Sequence, residues 1–169
     1  MSTNAIAYAI LVLVALQRLG ELLLSQRNTR ALLAQGGIEL GAGHYPLIVL
    51  LHLAWLAAIA WFLPTPAPIQ WPLLAVFILL QGLRLWVLAS LGPYWTTRII
   101  TLPGAPLVTG GPYRFVRHPN YLVVAAEIAV LPLVFGETGV AVSFTLANAA
   151  MLAWRIRAEE AGLAARRTP

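Results

Sequence analysis

Tyr45 to Leu63 reads YPLIVLLHLAWLAAIAWFL, nineteen residues without one Asp, Glu, Lys or Arg. A helix of about that length crosses the roughly 30 Å hydrocarbon core of a bilayer. The run is closed by Pro64, Pro66 and Pro68, and a second run, Pro72 to Leu91, follows with its proline placed for a first helical turn. Upstream, Asn4 to Leu24 has the same character. It lacks a basic leader and a small-residue cleavage site, so it reads as a span and not as a signal peptide. Downstream, a polar Gly/Pro-rich stretch runs from Gly92 to Asn120. Tyr121 to Phe135 and Val140 to Trp154 then flank the turn Gly136-Glu137-Thr138-Gly139. Both are short, so a hairpin that only partly crosses is an alternative; they are read as two spans whose mismatch is absorbed by local thinning or by extension of each helix beyond the hydrocarbon. The expected fold is an all-α membrane bundle of five transmembrane helices (4–24, 45–63, 72–91, 121–135, 140–154). A short cytoplasmic helix follows over 155–165, and residues 1–169 form one domain.

Composition agrees. Apolar residues make up 60% of the chain and charged residues 10%, too few to cover a soluble globule. All eleven cations are Arg and all six anions are Glu. A net charge of +5 in a soluble protein would point to nucleic acid, but the distribution of Arg points to membrane orientation instead. Arg27 and Arg30 fall in 25–44, Arg98, Arg114 and Arg117 in 92–120, and Arg155, Arg157, Arg166 and Arg167 after Trp154; connections 64–71 and 136–139 hold none. The positive-inside rule places the N-terminus outside and the C-terminus in the cytoplasm. No nucleic-acid partner is expected. Without Cys or Asp, and with three His, no metal site is expected either, and no disulfide is possible. Oligomeric state leaves no trace in the sequence.

Chemistry has room in the cytoplasmic segment 102–121, LPGAPLVTGGPYRFVRHPNY. Gly110-Gly111-Pro112 allows a sharp turn and a close backbone approach. Arg114, Arg117 and His118 cluster polar donors. His118 precedes Pro119 and is pushed out of helical geometry, while Pro119 suits the first position of a helix whose free N–H groups face back toward the motif. Such an end favours a carboxylate or phosphate. From these residues alone, a ligand site and a snorkelling basic loop that binds lipid headgroups both remain open.

The run GPYRFVRHPNY (Gly111 to Tyr121), followed after two apolar segments by Arg155 and Glu159-Glu160, resembles the isoprenylcysteine carboxyl methyltransferase family. That superfamily also includes phospholipid N-methyltransferases. RLGELLLSQRN (Arg18 to Asn28), GGIELGAGHYP (Gly36 to Pro46), His52 and YWTTRIITLPGAPLV (Tyr94 to Val108) are similar to a bacterial subgroup beside type III polyketide synthases. Its members O-methylate long-chain alkylpyrones or alkylresorcinols. This chain extends only nine residues past Glu160, a departure from the longer isoprenylcysteine enzymes, whose substrate is not carried over. The resemblance implies an inner-membrane enzyme that transfers a methyl group from S-adenosylmethionine to a lipid-like acceptor arriving from the bilayer, with S-adenosylhomocysteine as product. It implies cofactor contacts from Tyr113, Arg117, His118, Tyr121 and Glu159, with backbone support from Gly110, Gly111, Val116 and Pro119. Arg155, paired with Glu159 across one helical turn, would orient the acceptor's oxygens. Other readings are a capping role for His118 and an interfacial aromatic role for Tyr121. Carboxyl or amine methylation of another lipid is the nearer alternative; a membrane reductase and a non-enzymatic lipid-binding module are the more distant rivals.

Ionisable groups inside spans need their own reason, since each costs about 2.5–3.5 kcal/mol at a helix centre. Arg18 and Glu21 are expected to pair, as are Arg84 and Glu127. The functional reading gives Glu127 a part in deprotonating or positioning an acceptor hydroxyl and places Glu21, Arg84 and His52 at the substrate pocket; the alternative is glue between helices. His44 reads as interfacial.

Overall fold

A computed structural model of the chain describes residues 2–167, with side chains other than those of His44 and residues 161–167. The elements are α1 (Thr3–Ala34), β1 (Ile38–Leu40), α2 (His44–Phe62), α3 (Trp71–Leu91), β2 (Ile99–Thr101), α4 (Pro119–Val134) and α5 (Thr138–Arg167). The architecture is a bundle of five helices, four of them long and apolar enough to cross a membrane by length and composition. The fifth, α4, has 16 residues, a length of about 24 Å. Large apolar side chains face outward along the long helices, among them Leu13, Leu50, Leu79 and Leu146, all more than 60% exposed. Apolar surface on this scale belongs to lipid. The chain is a multi-pass integral membrane protein.

Consecutive helices run up and down, so their ends collect in two groups. At one end Asn4 donates to the carbonyl of Pro64 (2.9 Å) and accepts from Ala67 N–H (3.1 Å), and Gln70 N–H donates to Val134 O (2.8 Å). The Arg-free connections meet there. The exposed Trp61, Phe62 and Trp71 form an aromatic belt beside them. The Arg-bearing segments meet at the other end.

Two boundaries differ from expectation. α1 does not stop at Leu24 but continues to Ala34, carrying Arg27 and Arg30 on helix instead of loop. Leaving the hydrocarbon does not end a helix; a breaker does, and Gly36 (φ 90°) is the first available. Likewise the tail is no separate helix, because α5 continues from its apolar part through Arg155 without a breaker. The interfacial reading of His44 and the tail cations Arg166 and Arg167 lie outside the described side chains.

Along the bundle axis the interior has three layers. At the Arg-free end lies an apolar core of Ala7, Leu11, Trp55, Ile59, Phe77, Ile128, Leu131 and their neighbours. Next comes a charged layer. Arg84 donates to both Glu21 oxygens (2.5 Å each) and to Glu127 Oε2 (2.9 Å); Arg18 donates to Glu21 (3.0 Å) and Glu127 (2.8 Å). Gln17 and Gln81 add one bond each, to Glu21 and Glu127. The two expected pairs form, but as one neutral network linking α1, α3 and α4. The third layer is a cavity.

Glu137 sits where α4 turns into α5, after Gly136 (φ 74°) ends α4. It is 7% exposed, and neither carboxylate oxygen has a hydrogen-bond partner among the described residues. Burial pushes its pKa up from 4.5 to about 7. The folded state therefore holds a proton that the unfolded chain has already lost. Its stabilising share is complete below the unfolded value and fades as pH rises through the folded one. Glu137→Gln should raise the melting temperature relative to wild type at about pH 8 and leave it nearly unchanged at about pH 5. Equal shifts at both pH values, in detergent melts, would refute this.

Candidate active site

The cavity of the third layer has a volume of about 560 Å³, well suited to a small molecule. Its walls come from the ends of α1, α3 and α5, the start of α4, the β1–β2 ribbon and the loop 102–109. Every one of these lies at the Arg-rich end.

One wall is polar. Pro119 opens α4, and His118, at φ −128° and ψ 61°, stands outside helical geometry as its position before proline requires. Its side chain makes no capping bond. The ring instead stacks on Tyr121 (centroids 5.4 Å apart, planes 17° apart) and faces two carboxylates of α5. His118 Nδ1 lies 3.8 Å from Glu159 and Nε2 lies 3.7 Å from Glu160. The Tyr121 hydroxyl donates to Glu159 and accepts from Arg155 Nε (2.8 Å). Arg155 and Glu159, one turn apart on α5, thus meet through Tyr121 rather than directly. Tyr113 also lines this wall. Burial, with the Glu159 charge adding to it, holds its phenol well above the ordinary value, so it stays protonated and able to donate.

The lining from the ribbon and the neighbouring helix ends is mostly apolar. β1 and β2 pair antiparallel, Ile38 with Thr101 and Leu40 with Ile99. Leu32, Leu40, Leu91, Ile99, Ile100 and Leu102 line the cavity on this side. The ribbon is fixed to α1: Gly37 N–H donates to Leu32 O (2.9 Å), and a Cβ at Gly37 would lie 2.7 Å from that same oxygen. Arg98 ties the ribbon internally through Glu39 (2.7 Å) and lies over the Tyr45 ring of α2 (4.2 Å).

Of the residues singled out in the sequence, Tyr113, Arg117, His118, Tyr121, Arg155 and Glu159 share the cavity wall. Gly110, Gly111, Val116 and Pro119 lie in the neighbouring backbone and not on the wall. The close approach made by Gly111 (φ 58°) is to α3, since a Cβ there would lie 2.2 Å from Ser90 Oγ. The Val116 N–H is used within its own turn, on Pro112 O (3.3 Å). Glu21, Arg84 and Glu127 belong to the charged layer beneath the cavity and are not on its wall. His52 is on α2, its Nδ1 2.8 Å from Ile48 O and its ring edge-on to Trp55. The ribbon side, including Trp95 and Thr101, was not assigned a role from the sequence. Its signal was present in the subgroup-like segments around Gly36 and Tyr94, but three-residue strands leave no readable alternation.

A multi-pass bundle with a small-molecule cavity at its Arg-rich end, walled by two carboxylates, three Arg and three Tyr, defines a membrane protein built for chemistry or binding at the interface. The chain belongs to the isoprenylcysteine carboxyl methyltransferase (ICMT) family, whose family model matches residues 73–165. It is accordingly a membrane methyltransferase, of a family that uses S-adenosylmethionine generally. The uncharacterized protein YpbQ of Bacillus subtilis (strain 168) is 39% identical over 160 residues, covering 92% of this chain and 95% of that protein. An uncharacterized protein of Haemophilus influenzae is 28% identical over 154 residues, covering 86% and 88%. No solved structure matches the chain.

Proposed function

We propose that the cavity binds S-adenosylmethionine against its polar wall and methylates a hydroxyl of a long-chain alkylpyrone or alkylresorcinol brought in from the bilayer. The observation that carries this reading is the Arg155–Tyr121–Glu159 chain, flanked by His118 and Glu160, in one cavity wall. The donor set fits the cofactor. Glu159 and Glu160 suit an ammonium group and ribose hydroxyls, Arg117 and the α4 start suit a carboxylate, and Tyr113 and Tyr121 offer aromatic faces. The apolar lining from the ribbon suits an alkyl chain. Arg-rich loops and the cavity share one end, which supports a cytoplasmic site, an outside N-terminus and a bacterial inner-membrane location.

When bound, the sulfonium would supply an activated methyl group for transfer to the acceptor oxygen, its sulfur keeping the electron pair of the broken carbon–sulfur bond. The chain's own task is alignment and exclusion of water. Arg155 holds the acceptor oxygen and stabilises its negative charge. The hydroxyl proton passes to a carboxylate of the Glu159–Glu160 pair. An enolic or phenolic hydroxyl is acidic enough that no stronger base is required. The charged layer of Glu21, Arg84 and Glu127 forms the floor that keeps this wall in place, and His52 borders it.

Titration of the purified protein with S-adenosylhomocysteine tests the reading, with micromolar affinity expected. His118→Ala and Tyr121→Ala should each weaken that affinity by about tenfold or more while the protein still inserts. Unchanged affinity in both would remove this wall from the cofactor site. Lipids from cells expressing the chain should gain one methyl group by mass spectrometry.

A further inference from the structure

One segment at the Arg-rich end faces two ways. Tyr113, Arg117 and His118 line the cavity, whereas Arg114, Phe115 and Val116, between them in sequence, do not. Phe115 is 66% exposed, and Val116 is exposed beside it.

The surroundings of Phe115 say what meets this outer side. Leu79, Leu83 and Trp86 recur at helical spacing on α3, and all three are exposed, so they form a lipid-facing stripe. The 3-10 turn Gly111–Arg114 is seated at the end of that stripe. Gly111 packs on Ser90 and Trp86, and the Phe115 ring stands edge-on to Trp86 (centroids 6.5 Å apart). The turn is held in shape by its own backbone, Tyr113 N–H on Gly110 O (3.2 Å) and Phe115 N–H on Pro112 O (3.1 Å). Phe115 therefore extends the stripe. Depth agrees. Trp71, in the aromatic belt at the Arg-free end, and Trp86 lie about 22 Å apart along α3. A hydrocarbon layer of roughly 30 Å measured from that belt ends a little beyond Trp86, at the level of Phe115.

Charge narrows the kind of lipid. Arg114 is exposed, and among the described residues it pairs with no carboxylate. Its guanidinium lies over the Phe115 ring, 4.6 Å from the centroid. A cation mounted on a ring at the hydrocarbon edge stands among headgroup phosphates, which a guanidinium binds through paired N–H groups. An anionic headgroup is favoured over a zwitterionic one, which carries its own cation.

We propose that Arg114, Phe115 and Val116 form a docking surface for an anionic phospholipid, with Phe115 and Val116 against its acyl chains and Arg114 on its phosphate. The segment thus serves a ligand cavity on one side and the membrane on the other. The surface stands whether or not the cavity is a methyltransferase site.

The chain has no Cys, so Val116→Cys offers a single thiol for a fluorophore. The labelled full chain is placed in phosphatidylcholine nanodiscs. These carry a small, equal fraction of phosphatidylglycerol or phosphatidylcholine with a nitroxide high on one acyl chain. Both lipids should quench, and phosphatidylglycerol about threefold to fivefold more strongly. Adding Arg114→Gln should bring the two near parity, and adding Phe115→Ser should weaken quenching by both about twofold or more. If Val116→Cys does not fold, Phe115→Cys carries the label for the lipid comparison and the Arg114→Gln arm. No quenching by either lipid means that water or another protein covers the turn, and overturns the surface. Equal quenching by both in the labelled parent overturns the anionic preference. A preference that survives Arg114→Gln belongs to other Arg residues and overturns the role of Arg114, and quenching unchanged by Phe115→Ser overturns that of Phe115.

Discussion

Arg155→Ala is expected to cut turnover by about a hundredfold to a thousandfold while leaving S-adenosylhomocysteine affinity within about threefold. Arg155 is 7% exposed, and its Nε is held on the Tyr121 hydroxyl at 2.8 Å. A guanidinium fixed in this way is preorganised: it meets charge developing on an acceptor oxygen without first reorganising. Removing it leaves the Tyr121–Glu159 bond and the His118–Tyr121 stack in place, so the cofactor wall should survive. Arg155→Lys should recover little, because an ammonium cannot reproduce the planar fork. Initial rates with a long-chain alkylpyrone, paired with cofactor titration, separate the outcomes. Lost cofactor affinity with normal turnover at saturation would move Arg155 to the cofactor side.

The second large effect concerns folding. Arg84→Met removes the more buried of the two side chains that bond both Glu21 and Glu127, leaving two carboxylates buried with a single Arg18 between them. Breaking a buried ion pair by deleting one partner costs about 3–5 kcal/mol, a large part of the stability of most domains. The variant should yield little folded protein in detergent and melt far below wild type. Adding Glu127→Gln to Arg84→Met should restore much of the loss, since the remaining Glu21 is then balanced by Arg18 (3.0 Å). If Arg84→Met instead melts like wild type and loses only turnover, the charged layer takes part in the chemistry and is more than a floor.

How much of the molecule was readable in advance depends on the range of the interactions involved. The spans over 45–63 and 72–91 were legible because hydropathy is a local property, and the proline runs that bound them act on adjacent residues. The break at His118 and the helix start at Pro119 were legible for the same reason. The far ends of α1 and α5 were not. Segments 25–34 and 155–167 are polar, and polarity marks the end of a span but not the end of a helix. The pairs Arg18–Glu21 and Arg84–Glu127 could be anticipated from depth alone, but not their union into one network, which depends on which faces of α1, α3 and α4 meet.

The cavity shows the same division. The motif Gly111–Tyr121 and the pair Glu159–Glu160 were expected to share a site, and Tyr113, Arg117, His118, Tyr121, Glu159 and Glu160 do line one cavity; resemblance to a family supplied the expected chemistry. That Tyr121 stands between Arg155 and Glu159, that Gly111 serves packing against Ser90, and that Trp95 keeps an unpaired N–H are properties of contacts 34 to 38 residues apart, or between elements with no shared pattern. Membrane residence, the number of apolar segments and the side on which Arg accumulates follow from the order of residues alone, because each is settled by transfer from water to lipid one segment at a time. Which polar atoms find partners, and which go without, was decided only when the helices packed, because a hydrogen bond depends on distances of a few tenths of an ångström that no local pattern encodes.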